Sequence, residues 1–282
     1  MTELAVLFPC EQDTLVGILS LPALPASTAV IVVVGGPQYR VGSHRQFVLL
    51  ARTLAAAGYA VLRFDYQGMG DSSGPAGDFL TASSGIRAAI DNLQSRLPQL
   101  KKIVLWGLCD AASAALLYVH ETHDPRVAGL CLLNPWVRSE ASLARTQVKH
   151  YYTQRLMQRE FWAKLASGKV AWGALKGLAR NLRLSRAKAS PTSTGIGPFQ
   201  QRMAAAWMNF DGRILLLLSD NDYTAKEFLE YAAKDADWRE IFNHVYLERH
   251  DLPNADHTFS DPAAQIQVER LTLQWMQVGK FQ

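Results

Sequence analysis

The sequence predicts an α/β fold in which a mostly parallel, twisted sheet carries helices on both faces and receives an inserted helical cap. Short apolar, β-branched runs alternate along the chain with segments of helical periodicity. This alternation is typical of right-handed βαβ crossovers, which cover both faces of a parallel sheet. The 282 residues are 49% hydrophobic and 19% charged, so a disordered or low-complexity chain is excluded.

The predicted elements follow in chain order. The first apolar segment, residues 4–21, reads as two strands that turn near residues 11–13 and form an antiparallel edge. Later strands are expected at residues 29–34, 60–64, 102–106, 127–133, 213–218 and 244–247. Helical spacing predicts helices at residues 46–57, 79–97, 111–120, 225–236 and 262–276.

Residues 137–210 interrupt the alternation of strands and helices. This stretch contains Trp162, Trp172 and Trp207, has no convincing strand, and reads as several amphipathic helices. It is too long for an ordinary loop of a compact domain, so we expect a structured insertion. The predicted organisation is a core of residues 1–136 and 211–282 with a helical cap at residues 137–210.

The predicted cap is basic. Residues 138–190 carry 12 Lys and Arg against two acids, whereas the remaining 229 residues have a net charge of −6. Such a stretch is either a solvated helical surface or a site that attracts an anionic partner, for example coenzyme A, an acyl carrier protein, an acidic saccharide or a membrane surface. No recognised nucleic-acid-binding fold accompanies the charge, so a nucleic-acid partner is not expected.

Targeting and redox features favour a cytoplasmic protein. The apolar runs are far shorter than the ~20 residues that span a bilayer, and the first residues carry acids where a secretory signal would be basic. Three scattered cysteines, Cys10, Cys109 and Cys131, are too few for a disulfide framework or a zinc site. We therefore expect reduced thiols. The sequence does not indicate an oligomeric state.

Cys109 occupies the central position of a predicted nucleophile elbow. The segment Gly107-Leu108-Cys109-Asp110-Ala111 follows a strand and opens a helix, which is the setting of the G-x-S-x-G pattern. The free N–H groups at a helix N-terminus stabilise a thiolate, although the neighbouring Asp110 opposes it. The alternative is that Cys109 is a buried small hydrophobic residue.

A nucleophilic cysteine needs a base and a group that orients the base. In an elbow-type fold an acid and then a histidine follow in chain order, at the carboxyl ends of later strands. Asp222 and His257 lie at the predicted places, and Asp220 and Asp256 are alternative acids. The sequence thus predicts Cys109 as nucleophile, His257 as base and Asp222 as its orienting acid.

Backbone N–H groups are expected to form an oxyanion hole. One donor is the N–H of Asp110, and the second belongs to the loop after an early strand, where Pro37 cannot donate. Gly36 is the preferred second donor and Gln38 the alternative. Arg40, His44 and Arg45 lie just beyond this loop, where they bind substrate or serve only as capping and surface residues. The segment from Asp65 to Ser72 is expected to be a structural turn near the site.

Together these segments resemble the α/β-hydrolase superfamily over nearly the whole chain outside the cap. The likeness rests on GGPQ, DYQGMGDSSG, the GLCDA elbow, the acid after LLLLS, and ADHTF. The stretches GGPQYRVGSHRQF and GLCDAAS resemble more narrowly the hydrolase 1 group associated with the exosortase A system of exopolysaccharide-producing bacteria. The resemblance implies an α/β-hydrolase fold and a triad of Cys109, His257 and Asp222, with no metal or organic cofactor.

The combined interpretation is a hydrolase that cleaves an ester or thioester, an esterase or thioesterase working through an acyl-thioenzyme. Its substrate is expected to be a small or carrier-linked acyl compound, and an anionic one would suit the basic cap. An acyltransferase using the same triad and a non-catalytic ligand-binding protein on the same fold are the alternatives. Departures from the usual superfamily pattern are the Cys nucleophile, Ala111 in place of the last elbow glycine, and the missing His before the oxyanion-loop glycines.

Overall fold

The computed structural model describes residues 1–24, 27–36, 38–138 and 198–278. Within them the strands are β1 (Thr2–Cys10), β2 (Asp13–Leu21), β3 (Thr28–Val33), β4 (Ala60–Phe64), β5 (Lys102–Leu108), β6 (Val127–Leu133), β7 (Arg213–Ser219) and β8 (Leu247–Leu252). The α-helices are α1 (Gln46–Ala56), α2 (Ser83–Arg96), α3 (Asp110–Thr122), α4 (Phe199–Met208), α5 (Tyr223–Lys234) and α6 (Pro262–Val278). Single 3₁₀ turns lie at Ser43–Arg45, Ala236–Trp238 and Ile241–Asn243.

The strands form one sheet in the order β1-β2-β4-β3-β5-β6-β7-β8. The first two strands pair antiparallel with each other, and β2 also pairs antiparallel with β4. All pairings from β4 across to β8 are parallel, so the carboxyl ends of β3 and β5–β8 meet at one edge. The predicted mostly parallel α/β-hydrolase fold is confirmed.

Helices cover both faces of the central strands. In β3, Ala29, Ile31 and Val33 contribute to the core under α2, α3, α4 and α5, while Val30 and Val32 face the core under α1 and α6. These side chains are fully buried. Burial on both faces explains why the strand reads as a continuous apolar run rather than an alternating one. The carboxyl edge of the sheet is thereby held rigid beneath the site.

The last strand was expected at residues 244–247, and this prediction is wrong. The structure has β8 at Leu247–Leu252, after the 3₁₀ turn Ile241–Asn243. Among the described strands, β8 lies at the edge of the sheet and pairs with β7 alone, so its segment Glu248–Asp251 can be polar throughout. Charged side chains suit an exposed edge strand, and they remove the apolar signal by which strands are predicted. The other predicted strands and helices are present, with ends shifted by a few residues.

Helix α4 falls inside the range predicted as a cap, residues 137–210. The structure assigns it to the compact unit that runs from Met1 to Val137 and resumes at Pro198. Trp207 of α4 is fully buried, stacks on Phe228, and donates from Nε1 to the carbonyl of Ile241 at 3.1 Å. The remainder of the predicted cap, with Trp162 and Trp172, lies outside the described residues, so the cap stays a prediction.

No helix among the described residues is long and apolar enough to cross a membrane.

Candidate active site

Cys109 lies in a strained turn between β5 and α3. Its φ of 63° and ψ of −124° place a non-glycine residue in a sparsely populated region, which costs on the order of 1–3 kcal/mol and is common at functional sites. The turn is tight because Gly107 approaches α3 closely. A Cβ at Gly107 would lie 2.6 Å from backbone atoms of Ala111. The small residues of the elbow therefore have a steric cause, and Cys109 is held half-buried at the start of α3.

Asp222 lies after β7 and begins helix α5. Its carboxylate accepts hydrogen bonds from the N–H groups of Thr224 at 3.2 Å and Ala225 at 3.1 Å, as an N-cap residue does. The same side chain is within 2.9 Å of His257 Nδ1 and is only 6% exposed. Burial raises the pKa of Asp222, but the hydrogen bond and charge of His257 outweigh it and lower the pKa on balance.

His257 bonds the acid and lies near the thiol. Its ring bonds Asp222 through Nδ1 at 2.9 Å. The bond to Asp222 and the interaction with the nearby Cys109 side chain, acting against burial, raise the pKa of His257 to about 10. These contacts favour the protonated imidazolium form of His257. The structure thus brings the three residues predicted as a triad together, with His257 bonded to Asp222 and close to Cys109.

The two alternative acids have other surroundings. Asp220 is exposed at the end of β7. The carboxylate of Asp256 accepts bonds from the N–H groups of Thr258 at 3.2 Å and Ser260 at 2.8 Å, and from the Ser260 hydroxyl. Asp256 therefore shapes the loop around His257, while Asp222 is the acid on the imidazole ring.

The predicted oxyanion loop is tied to the elbow by a side chain that the sequence interpretation did not use. The N–H of Gly36 donates to Oδ2 of Asp110 at 2.9 Å, so this N–H is already engaged. Gly35 must lack a side chain, because a Cβ there would lie 2.7 Å from the backbone nitrogen of Ala111. Burial raises the pKa of the Asp110 carboxyl, despite the bond from Gly36. Which N–H, that of Gly36 or that of Gln38, would be the second donor stays a prediction.

Arg40 belongs to a structural network. Its guanidinium pairs with Asp65 and Asp71, and its N–H donates to Asp65 at 2.7 Å. Asp65 also accepts from the N–H of Asp71 at 3.1 Å, and Ser72 Oγ donates to the carbonyl of Asp65 at 2.8 Å. These bonds agree with the structural role expected of the turn from Asp65 to Ser72. That Arg40 also binds substrate stays a prediction.

His44 and Arg45 are exposed and carry unusual backbone angles. Their φ values are 53° and 63°, two successive non-glycine residues in the left-handed region. Arg45 directly precedes α1 without a side-chain cap. Burial raises the pKa of the Asp256 carboxyl, but hydrogen bonds from Ser260 and Thr258, with a smaller contribution from nearby His44, lower it on balance. Substrate binding by His44 and Arg45 stays a prediction.

Sequence reasoning missed Asn134. This residue follows β6, is fully buried, and has a φ of 44°. Its side chain contacts the loop that carries His257. A polar residue directly after a buried strand, at the carboxyl edge of a parallel sheet, was the signal available in the sequence.

Comparisons with solved structures show which folds the chain is similar to. The esterase Pf2001 of Pyrococcus furiosus has a TM-score of 0.64 at 16% identity, with 98% of this chain and 92% of that chain covered. Est1E of Butyrivibrio proteoclasticus, solved with ferulic acid, has a TM-score of 0.62 at 15% identity, with 96% and 99% covered. A dienelactone hydrolase of Anabaena variabilis has a TM-score of 0.60 at 15% identity, with 98% and 96% covered. At these identities the likeness shows the fold.

A comparison with curated protein sequences gives no match. The family model described as the alpha/beta hydrolase family matches residues 30–268, which include the elbow, the acid and the histidine. This match extends over most of the chain, and the sheet order and helix placement agree with it. The chain therefore belongs to the alpha/beta hydrolase family.

Proposed function

We propose that this protein is a cysteine-nucleophile hydrolase that cleaves an ester or thioester through an acyl-thioenzyme. The observation that carries the proposal is the hydrogen bond of 2.9 Å between Asp222 and His257, whose ring lies close enough to Cys109 for that side chain to raise the pKa of the imidazole. A nucleophile, a base within hydrogen-bond reach and an orienting acid are the parts that acyl transfer requires. Membership of the alpha/beta hydrolase family supports the same reaction class.

The first half of the reaction acylates the enzyme. Because Nδ1 of His257 bonds Asp222, the other ring nitrogen, Nε2, takes the proton from Cys109 Sγ. The thiolate attacks the substrate carbonyl carbon and forms the S–C bond, and the carbonyl oxygen becomes an oxyanion. When the intermediate collapses, the bond to the alcohol or thiol breaks, and His257 returns its proton to the leaving group.

The second half releases the acid. His257, now neutral, removes a proton from a water molecule, and the resulting hydroxide attacks the thioester carbonyl. The S–C bond breaks, Cys109 leaves as a thiolate, and the proton stays on His257. Since a thiolate is a good leaving group, activated esters and thioesters are better suited to this site than amides.

The oxyanion would be stabilised by backbone donors. The N–H of Asp110 follows the nucleophile at the start of α3, where the helix dipole favours negative charge. Because the N–H of Gly36 is bonded to the Asp110 carboxylate, we assign the second donor to Gln38, the alternative that the sequence left open. The bond between Gly36 and Asp110 then holds the donor loop against the elbow.

The charge distribution supports an anionic or carrier-linked acyl substrate. Residues 138–190 contain 12 Lys and Arg and only two acids, a charge that would attract an anionic substrate. The resemblance of residues 35–47 and 107–113 to the exosortase-associated hydrolase 1 group supports a role in exopolysaccharide biosynthesis. An anionic substrate and a role in exopolysaccharide biosynthesis would each leave the chemistry at Cys109 unchanged.

Turnover of a substrate panel tests the proposal. Wild-type protein and Cys109→Ala are incubated with p-nitrophenyl esters and acyl-CoA thioesters of increasing chain length, with and without an added alcohol acceptor. We expect release of free acid by the wild type and none above background by Cys109→Ala. Product that appears only when the acceptor is present would identify an acyltransferase. Equal turnover by both proteins would contradict the proposal.

A further inference from the structure

Asn134 follows β6 directly and is a buried polar residue with a left-handed backbone conformation. It has a φ of 44°, and none of its surface is exposed. Asn tolerates the left-handed region better than most residues, yet a buried amide still costs free energy unless its hydrogen bonds are made. Its own N–H donates to the carbonyl of Leu217 at 3.1 Å. The backbone is therefore fixed against β7.

The side-chain amide of Asn134 makes three hydrogen bonds. Oδ1 accepts from the N–H of Ser219 at 2.8 Å, and because a backbone N–H can only donate, this bond fixes which way the amide points. Nδ2 donates to Ser219 Oγ at 3.0 Å and to the carbonyl of His257 at 3.3 Å. Ser219 Oγ in turn donates to the carbonyl of Asp256 at 2.9 Å. Two successive carbonyls of the His257 loop are thereby held by one buried network.

The same β6 exit also holds the nucleophile. The N–H of Cys109 donates to the carbonyl of Leu133 at 2.8 Å, and the carbonyl of Cys109 accepts from the N–H of Trp136 at 3.2 Å. Residues 133–136 thus hydrogen-bond the backbone of Cys109 and, through the Asn134 side chain, the backbone of His257.

We infer that Asn134 is a positioning residue that keeps the His257 loop in register with the Cys109 elbow. The inference rests on the proposed function, because it concerns the distance between the proposed base and nucleophile. Asp222 fixes the ring of His257 through Nδ1, while Asn134 fixes its backbone, and the two supports come from different strands. A catalytic group displaced by about 1 Å can lose on the order of 100-fold in rate, so a support of this kind has a measurable effect.

The test uses Asn134→Gly, which removes the amide while glycine keeps the left-handed backbone available. The rate of Cys109 alkylation by iodoacetamide is followed against pH by peptide mass spectrometry, together with kcat and KM on a p-nitrophenyl ester. We expect the alkylation midpoint to move upward, because a displaced imidazolium stabilises the thiolate less. We also expect kcat to fall about 10- to 100-fold with KM within about twofold, since positioning rather than binding is lost.

Thr272→Val is the matched control. Thr272 is 1% exposed and accepts a bond from Trp106 Nε1 at 3.4 Å, so its loss also removes a buried hydrogen-bonding group, but away from His257. This variant should lose stability and leave both the alkylation midpoint and kcat unchanged. If Asn134→Gly does not fold, Ser219→Ala breaks the same network from its other side and should move the same readouts.

The outcomes separate the two proposals. If a folded Asn134→Gly keeps the alkylation midpoint and the kcat of the wild type, the positioning role is overturned and the proposed function stands. If the wild type neither turns over the ester nor becomes acylated at Cys109, both are overturned. A shifted midpoint in Asn134→Gly or Ser219→Ala, with Thr272→Val unshifted, supports the positioning role.

Discussion

The thiol and the imidazole of this site are held in different ways. Cys109 is fixed through its main chain, by a turn with a φ of 63° that small neighbours permit and by backbone bonds to Leu133 and Trp136. His257 is fixed by side chains from elsewhere, the carboxylate of Asp222 after β7 and the amide of Asn134 after β6. The thiol is therefore held by main-chain contacts and the imidazole by side-chain contacts. Substitutions in the two halves should fail in different ways.

The difference has a physical basis. The strain of the turn at Cys109 lies in backbone dihedral angles and is maintained by close packing. Small residues such as glycine and alanine around Cys109 allow that packing. An imidazole ring can rotate and must be oriented by hydrogen bonds, so it needs partners at both its ring and its loop. A change at the carboxylate that bonds the His257 ring should lower activity with little loss of stability. A change at the close-packed glycine of the Cys109 turn should disturb the fold itself.

Asp222→Asn should give the largest effect. Asn retains the N-cap of α5, so the free energy of unfolding should change little. It no longer favours the tautomer and charge that His257 needs, and kcat should fall by about 10⁴-fold, as when a triad acid becomes an amide. Steady-state kinetics on a p-nitrophenyl ester, with urea unfolding, checks both statements.

Asp220→Asn is the control for this prediction. Asp220 lies two residues earlier, is exposed, and was an alternative acid in the sequence. Its substitution should leave kcat unchanged. A large loss in Asp220→Asn together with a small one in Asp222→Asn would reverse the assignment of the acid.

Gln38→Pro tests the oxyanion loop on the thiol side. The change removes the proposed N–H donor, and loss of one such donor typically lowers kcat by about 10²- to 10³-fold. Gln38→Ala keeps the N–H and removes only the side chain, so kcat should stay within a few-fold of wild type. If a folded Gln38→Pro is as active as Gln38→Ala, the second donor lies elsewhere, and Gly36 becomes the remaining candidate.

Gly107→Ala should show its effect in stability. The added Cβ would lie 2.6–2.7 Å from backbone atoms of α3, which cannot move aside as a side chain can, and overpacking of this kind costs about 1–3 kcal/mol. Gly85→Ala, in helix α2, meets only ordinary contacts at 3.6–3.7 Å and should be neutral or stabilising. Urea unfolding of both variants measures the contrast. Equal stability of the two would contradict a sterically required elbow.

The same division explains what the sequence could predict. Buried strands and the small residues of the elbow leave a local pattern, so the sequence predicts the central sheet and the turn at Cys109 directly. The charged edge strand β8 leaves none, and it was placed too early. The bond from Gly36 to the Asp110 carboxylate joins residues 74 apart, and the bond from Asn134 to His257 joins residues 123 apart. Residues so far apart leave no local sequence pattern, because their contacts depend on how the loops meet at the carboxyl edge of the sheet.

The most direct measurement is the mass of the protein quenched during turnover of an activated ester such as p-nitrophenyl acetate. The proposed function predicts one acetyl group on the wild-type chain, located on Cys109 by peptide mapping and absent from Cys109→Ala. His257→Ala should acylate far more slowly, because the thiolate loses its imidazolium partner. Ester turnover with acylation at a residue other than Cys109, or with no covalent adduct when deacylation is slowed by low pH, would contradict the account.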